Sequence, residues 1–122
     1  MLMTLVPLVC MATLHTLEKS LDGERSLCQA FVSRYIEMWP TRFERIHAAV
    51  TSDHYENAMD STLSLRSSSM MVGAARLSDL TMELVRLLES GNAALAATNL
   101  TELQICGNET AGHLTASYVN VA

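Results

Sequence analysis

The chain has 122 residues, of which 49% are hydrophobic and 17% are charged, with two prolines and five glycines. This composition excludes a disordered or low-complexity chain and suits a single domain with a buried core. Lys and Arg number 8 against 13 Asp and Glu, so the formal net charge is −5. Because no stretch is basic enough to follow a phosphate backbone, we do not expect a nucleic-acid partner.

The cysteines and the N-terminus bear on the cellular compartment. Cys10, Cys28 and Cys106 are odd in number and far apart, which argues against a disulfide framework or a zinc site and favours the reducing cytoplasm. Residues 1–14 are apolar, but no Lys or Arg precedes them and the run is too short to span a bilayer. We therefore expect no export and no membrane partner. Residues 1–20 are predicted to be a leader with a short helix near residues 13–21, and residues 21–122 to form the domain.

A long helix is predicted between residues 21 and 50, where apolar residues recur at spacings of three and four. Pro40 interrupts this pattern and predicts a kink or a break near residues 38–39, although the two halves can still act as one bent helix. Asp53, followed by Glu56, resembles a capping box for the next helix. The predicted inward stripe consists of Leu27, Phe31, Tyr35, Met38, Phe43, Ile46 and Val50.

Three further helices are predicted, at about residues 54–71, between the turn at residues 73–75 and the stop at residues 90–92, and at about residues 93–118. Gly73 marks the turn after the first of them, Gly91 and Asn92 cap the next two ends, and Gly107 and Gly112 weaken the last helix so that its end is expected to fray. Because the connections are short, neighbouring helices should be antiparallel, and the fold class is an all-α, up-down four-helix bundle. The predicted core positions are Tyr55, Ala58, Thr62, Leu65, Ser69 and Val72, then Leu77, Leu80, Thr81, Leu84, Leu87 and Leu88, and finally Leu100, Leu103, Cys106, Thr110 and Leu114.

The segment STLSLRSSSMMVGAARL, residues 61–77, carries a motif. It resembles the central motif of histidine-containing phosphotransfer domains, four-helix bundles that relay phosphate in two-component signalling. In that family the second bundle helix reads Ala-His-x-Leu-Lys-Gly-Ser and is followed by a Gly-Ala turn. The resemblance covers about residues 25–105 and implies a bacterial phosphorelay protein whose partner is a response-regulator receiver domain or a histidine kinase. The matching residues are Leu65, Arg66, Ser67 and Ser68 in the helix, and Gly73, Ala74 and Leu77 in the turn and the next helix.

The chain departs from this motif at residue 63, which is leucine where the family has its phospho-accepting histidine. Leucine has no nucleophilic nitrogen, and no histidine occurs between His54 and His113 to replace it. The resemblance therefore implies a degenerate member that does not accept phosphate, is not an enzyme and needs no cofactor.

The geometry of a helix predicts where Leu63 points. At about 100° per residue, residue 63 lies roughly 130° from the mean direction of the predicted core seam, and hence faces outward. Two alternatives to a partner-binding surface are that the leader covers this outward face and that two copies of the chain meet there. We expect a monomer or a weak homodimer. The predicted partner-binding residues are Met59, Leu63, Arg66, Ser67 and Met70.

Other constellations are weaker. Glu44 and His47 have the Glu-x-x-His spacing of di-iron bundles, but the chain has no second copy of that motif, so no metal is expected. Three functions stay open. The first is a docking module that binds a receiver or a kinase without accepting phosphate, the second is a phosphotransferase that uses a displaced histidine such as His47, and the third is a helical module for oligomerisation or assembly.

Overall fold

Five α-helices follow one another in the computed structural model, which describes residues 6–121. Helices α2 to α5 form a ring in which each packs against the next and α5 closes the ring against α2, while α1 lies against α2 and α3. The predicted all-α, four-helix bundle is confirmed, and residues 6–121 contain no strand. The helices are α1 (Met11–Ser20), α2 (Arg25–Thr51), α3 (Tyr55–Met71), α4 (Ala75–Glu89) and α5 (Ala93–Leu114), which continues into a π-helical turn (Thr115–Val119).

One hydrophobic core runs through the ring, and each of the five helices contributes side chains that are almost fully buried. The seams predicted for α3 and α5 are buried as expected, apart from Tyr55, which is 49% exposed at the first position of α3. Tyr55 lies at the end of the bundle, where its side chain lines an open depression with residues of α2, α4 and α5. The largest fully buried side chains include Leu14, Ile46, Leu65, Leu77, Leu84, Leu103, Leu114 and Tyr118.

Helices α1 to α4 each end in the same backbone motif, in which N–H groups just after the helix donate to carbonyls of its last turn. At the end of α2, His54 donates its backbone N–H to the carbonyl of Ala49, and Asp53 donates to Val50, which is the Schellman arrangement. Asp53 has a φ of +61°, so it closes α2 and does not cap α3. The predicted capping box at Asp53 is therefore wrong, whereas Asn92 caps α5 as predicted, since its side chain accepts a hydrogen bond from the Leu95 N–H.

Helix α2 agrees with its prediction at Pro40 and differs from it in the side that is buried. It continues through Pro40 as one helix, one of the two alternatives expected, and Trp39 and Phe43 on either side of the exposed proline are both buried in the core. Its buried stripe is rotated, so that Phe31 and Met38 are 39% and 37% exposed. Leu27 is exposed as well. The buried positions of α2 are Cys28, Val32, Tyr35, Trp39, Phe43, Ile46 and Ala49.

The C-terminal end of α5 was predicted to fray, but contacts with distant residues hold it in place. Tyr118 is fully buried, and its hydroxyl donates a hydrogen bond to the carboxylate of Glu18 on α1. The guanidinium of Arg25 lies 4.8 Å from the centre of the Tyr118 ring, where a cation is attracted by the ring face. Gln29 of α2 donates to the backbone carbonyls of Tyr118 and Val121 at 2.9 and 2.8 Å. These contacts between distant parts of the chain join α1, α2 and the π-helical turn.

The predicted leader packs against the junction of α3 and α4, except that residues 1–5 lie outside the described residues. The backbone N–H of Cys10 donates to the carbonyl of Gly73 at 2.7 Å, and Arg76 Nε donates to the carbonyl of Val6 at 3.2 Å. Gly73 is required here because its φ is +79° and a Cβ atom would lie 2.5 Å from the Cys10 carbonyl oxygen. None of the helices in residues 6–121 combines the length and the apolar character that crossing a bilayer requires.

Candidate docking face on the second bundle helix

Helix α3 presents two faces of different character. Its inner face consists of small or branched side chains, Ala58, Thr62, Leu65 and Ser69, all of which are buried. Small residues let neighbouring helices approach closely, so the inner face fixes how α3 is rotated in the ring. The outer face is thereby determined as well, because residues that lie half a turn away must point to solvent.

Buried hydrogen bonds fix the position of α3 against α2. The hydroxyl groups of Tyr35 and Ser69 lie 2.6 Å apart inside the core. Burial raises the pKa of Tyr35 to about 12, and the hydrogen bond to Ser69 opposes that rise only in part. Nearer the surface, Arg42 of α2 donates to the Ser68 hydroxyl at 3.0 Å and to the Ser64 carbonyl at 3.3 Å. The outer face of α3 is therefore held on a rigid support.

The structure brings the five predicted partner-binding residues together on that outer face. Leu63 is 41% exposed and Met70 is 50% exposed, and Ser67 is exposed between them. Met59 and Arg66 are partly buried at the edge of the same face. The Arg66 Nε is shielded from solvent and has no hydrogen-bond partner among the described residues. An exposed apolar strip with a cation at its edge is suited to protein binding, and that role for the five residues stays a prediction.

None of the five residues on this face is a histidine. His54 precedes α3, nine residues from Leu63 and hence on the other side of the helix, and it is exposed. His47 is exposed on α2, with its ring centre 5.9 Å from that of Phe43. Within residues 6–121, no group of three His, Cys, Asp or Glu side chains converges in a way that could hold a metal ion.

Sequence reasoning missed the contribution of α2 to the surface beside α3. Phe31 and Met38 were predicted to be core residues, yet both are exposed and line a cleft between the two helices. Arg34 and Arg42 line the same cleft. The signal in the sequence was their spacing, because positions 31, 34, 38 and 42 recur every three or four residues and so share one side of α2.

A comparison with known families identifies the bundle. The family model described as the Hpt domain matches residues 30–112, which run from inside α2 to near the end of α5. The chain belongs to the Hpt domain family. No curated protein and no solved structure matches the chain.

Membership in the Hpt domain family places the fold in a signalling context. Hpt domains are phosphorelay modules that carry phosphate between receiver domains and histidine kinases and are not catalysts themselves. The matched region of this Hpt domain contains all of α3, the helix on which Leu63 and its neighbours are exposed.

Proposed function

We propose that this Hpt domain is a docking module of a phosphorelay, which binds a receiver or kinase domain and does not accept phosphate. The observation that carries the proposal is Leu63, a residue without a nucleophilic atom at the motif position of the phospho-accepting histidine, exposed on the outer face of α3. The three cysteines of the protein form no disulfide, which supports a cytoplasmic location.

The surroundings of Leu63 support retention of a partner-binding surface. Arg66 provides a positive charge three residues after Leu63, on the same face, where the family motif has lysine. The strip of Met59, Leu63 and Met70 adds apolar area that a partner could cover.

Phosphotransfer from a receiver domain tests the first half of the proposal. A receiver carrying ³²P-labelled aspartyl phosphate is incubated with the wild-type chain, and we expect no label on the chain. Label on the unmodified protein would show that another residue, such as His47, accepts phosphate, and would refute the proposal.

Substitutions at the motif test the second half, which is that the docking surface is retained. Leu63→His provides an imidazole nitrogen that can take the phosphoryl group from the aspartyl phosphate, and we expect slow transfer. Ser67 lies one turn further on and carries a side chain where the motif has glycine, so Leu63→His combined with Ser67→Gly should transfer faster. No transfer to either variant would mean that the docking surface has diverged and would favour the assembly module instead.

We also propose that the protein is a monomer in solution, because a bundle of this size can bury its own apolar faces. Sedimentation equilibrium at micromolar concentration should give the mass of one chain. A dimer that is lost in Leu63→Glu would show that the exposed strip serves as a seam between two copies.

A further inference from the structure

Three depressions follow one another along the outside of the bundle between α2 and α3, and neighbouring ones share lining residues. The first, of about 200 Å³, is lined by Phe31, Arg34, Met38 and Ser68 among others. Met38 and Arg42 also line the next part, and Arg45 and Ser61 connect that part to a third depression near the end of α2. We call this feature the α2–α3 cleft. It is distinct from the Leu63 strip, which lies on the other side of the outer face of α3.

The cleft concentrates positive charge in an acidic chain. Arg34, Arg42 and Arg45 line it, whereas the formal net charge of the whole protein is −5. Among residues 6–121, the ion pairs are Arg25 with Glu18 and Arg86 with Glu83, so none of the three cleft arginines is paired with a carboxylate. The carboxylate that lines the cleft is Asp60, in the third depression beside Arg45, and it forms no ion pair there.

Hydrogen bonds hold the central cation in place before any ligand arrives. The Nη1 atom of Arg42 donates to the Ser68 hydroxyl and to the Ser64 carbonyl, which holds one end of the guanidinium against α3. A guanidinium has five N–H donors, and the other nitrogens of Arg42 have no hydrogen bond within the described residues. A pre-oriented guanidinium with unused donors matches the geometry of a carboxylate, and little side-chain entropy is lost when the two bind.

Apolar side chains alternate with these arginines along α2. Phe31 and Met38 are 39% and 37% exposed, and both line the cleft beside Arg34 and Arg42. The order along the helix is apolar, basic, apolar, basic, at spacings of three and four residues. An amphipathic helix presents side chains with the same spacing, so an acidic helix laid along the cleft would oppose carboxylates to arginines and apolar groups to Phe31 and Met38.

We infer that the α2–α3 cleft binds an acidic amphipathic segment of a partner protein. Carboxylates of the segment pair with Arg34, Arg42 and Arg45, and its apolar side chains cover Phe31 and Met38. The complementary charge selects the partner and fixes the direction of the segment, and the apolar contacts retain it. This inference goes beyond the proposed function, because it holds whether or not the partner contains a receiver domain and whether or not phosphate is exchanged.

A pair of synthetic peptides tests the inference on the complete chain. The probe is a fluorescein-labelled helical peptide of about 16 residues with leucines at spacings of three and four and glutamates between them. The control peptide has lysine in place of each glutamate. We expect fluorescence anisotropy to show that the glutamate peptide binds at least about tenfold more tightly, with an advantage that shrinks as ionic strength rises. Equal binding of the two peptides would overturn the inference.

Charge reversals locate the binding site. Arg34→Glu lies in the cleft and Arg86→Glu lies on α4, and both positions are exposed, so each variant changes the net charge equally without disturbing the core. Arg86→Glu also gives up the exposed pair with Glu83, and a surface ion pair of this kind contributes little to stability. Arg34→Glu should weaken glutamate-peptide binding about fivefold or more, and Arg86→Glu by less than about twofold. Equal losses would show that the peptide responds only to overall charge and would overturn the inference. It would also be overturned if wild-type dimers dissociated in Arg34→Glu, because the cleft would then be occupied by a second copy.

Discussion

Two glycines of α5 should respond to alanine in opposite directions. Gly112 is exposed, and a Cβ atom there would have no other atom within 4 Å. Gly107 is buried, and a Cβ atom there would overlap three atoms of the Trp39 indole ring. Both positions lie inside a helix, where alanine is more favourable than glycine by about 1 kcal/mol. The difference between the two variants therefore measures the packing of Trp39.

The magnitude follows from what Trp39 would have to give up. Its ring is 5% exposed, its centre lies 5.6 Å from that of Phe43, and its Nε1 donates to the Asn108 side chain at 2.9 Å. Forcing an extra carbon into such a core costs about 1–3 kcal/mol, and loss of the hydrogen bond adds about 1 kcal/mol. After the gain in helix propensity is subtracted, Gly107→Ala should lower the free energy of unfolding by about 1–3 kcal/mol. Gly112→Ala should raise it by about 0.5–1 kcal/mol.

Urea denaturation followed by circular dichroism at 222 nm measures both changes. At equal m values, the midpoint of Gly107→Ala should fall and that of Gly112→Ala should rise relative to wild type. Trp39→Phe removes part of the overlapping ring. Gly107→Ala should therefore lower the free energy of unfolding less in a Trp39→Phe background than in the wild type. If Gly107→Ala were as stabilising as Gly112→Ala, the packing of Trp39 against Gly107 would be refuted.

Two further predictions concern the docking face and the buried tyrosine. Leu63→Glu should weaken binding of a receiver or kinase domain by about tenfold without lowering the melting temperature, whereas the matched control Ile105→Glu, at an exposed position on α5, should leave binding unchanged in isothermal titration calorimetry. Equal binding by both variants would argue against the strip as the contact surface. Tyr35 has a folded-state pKa of about 12 against an ordinary value of 10, so its contribution to stability is complete below pH 10 and is lost as pH rises towards 12. The urea midpoint of the wild type should therefore decline more steeply than that of Tyr35→Phe between pH 10 and pH 12, and parallel curves would contradict the burial of this hydroxyl.

Local patterns in the sequence were sufficient for the helices and for the outward direction of Leu63. The inner face of α3 is readable because Ala58, Thr62, Leu65 and Ser69 recur at helical spacing. The cap at Asn92 is readable for a similar reason, since its side chain bonds to a backbone N–H three residues later and needs no distant partner. Once the seam of α3 is known, the position of residue 63 on the opposite side follows from the helix period alone.

Only the tertiary structure decided which side of α2 is buried. Two adjacent stripes of α2 are both apolar, one containing Phe31 and Met38 and the other containing Val32 and Trp39, so the period of the pattern cannot choose between them. The choice is made by α5, because Gly107 leaves room for the Trp39 ring, and residues 39 and 107 are far apart in the chain. The same rotation exposes Phe31, Met38 and the arginines beside them, and thereby creates the α2–α3 cleft.

The C-terminal end of α5 shows the same difference between what local sequence predicts and what tertiary contacts decide. Gly107 and Gly112 correctly indicate low helix propensity, which by itself predicts fraying at the end of α5. What holds that end is the hydrogen bond from Tyr118 to Glu18, together with Gln29, which donates to the carbonyls of Tyr118 and Val121. These partners are separated by about 90 to 100 residues, so their contacts exist only after the ring of helices has closed. Spacing along the chain determines what a helix can bury, and the contacts between distant helices determine what it does bury.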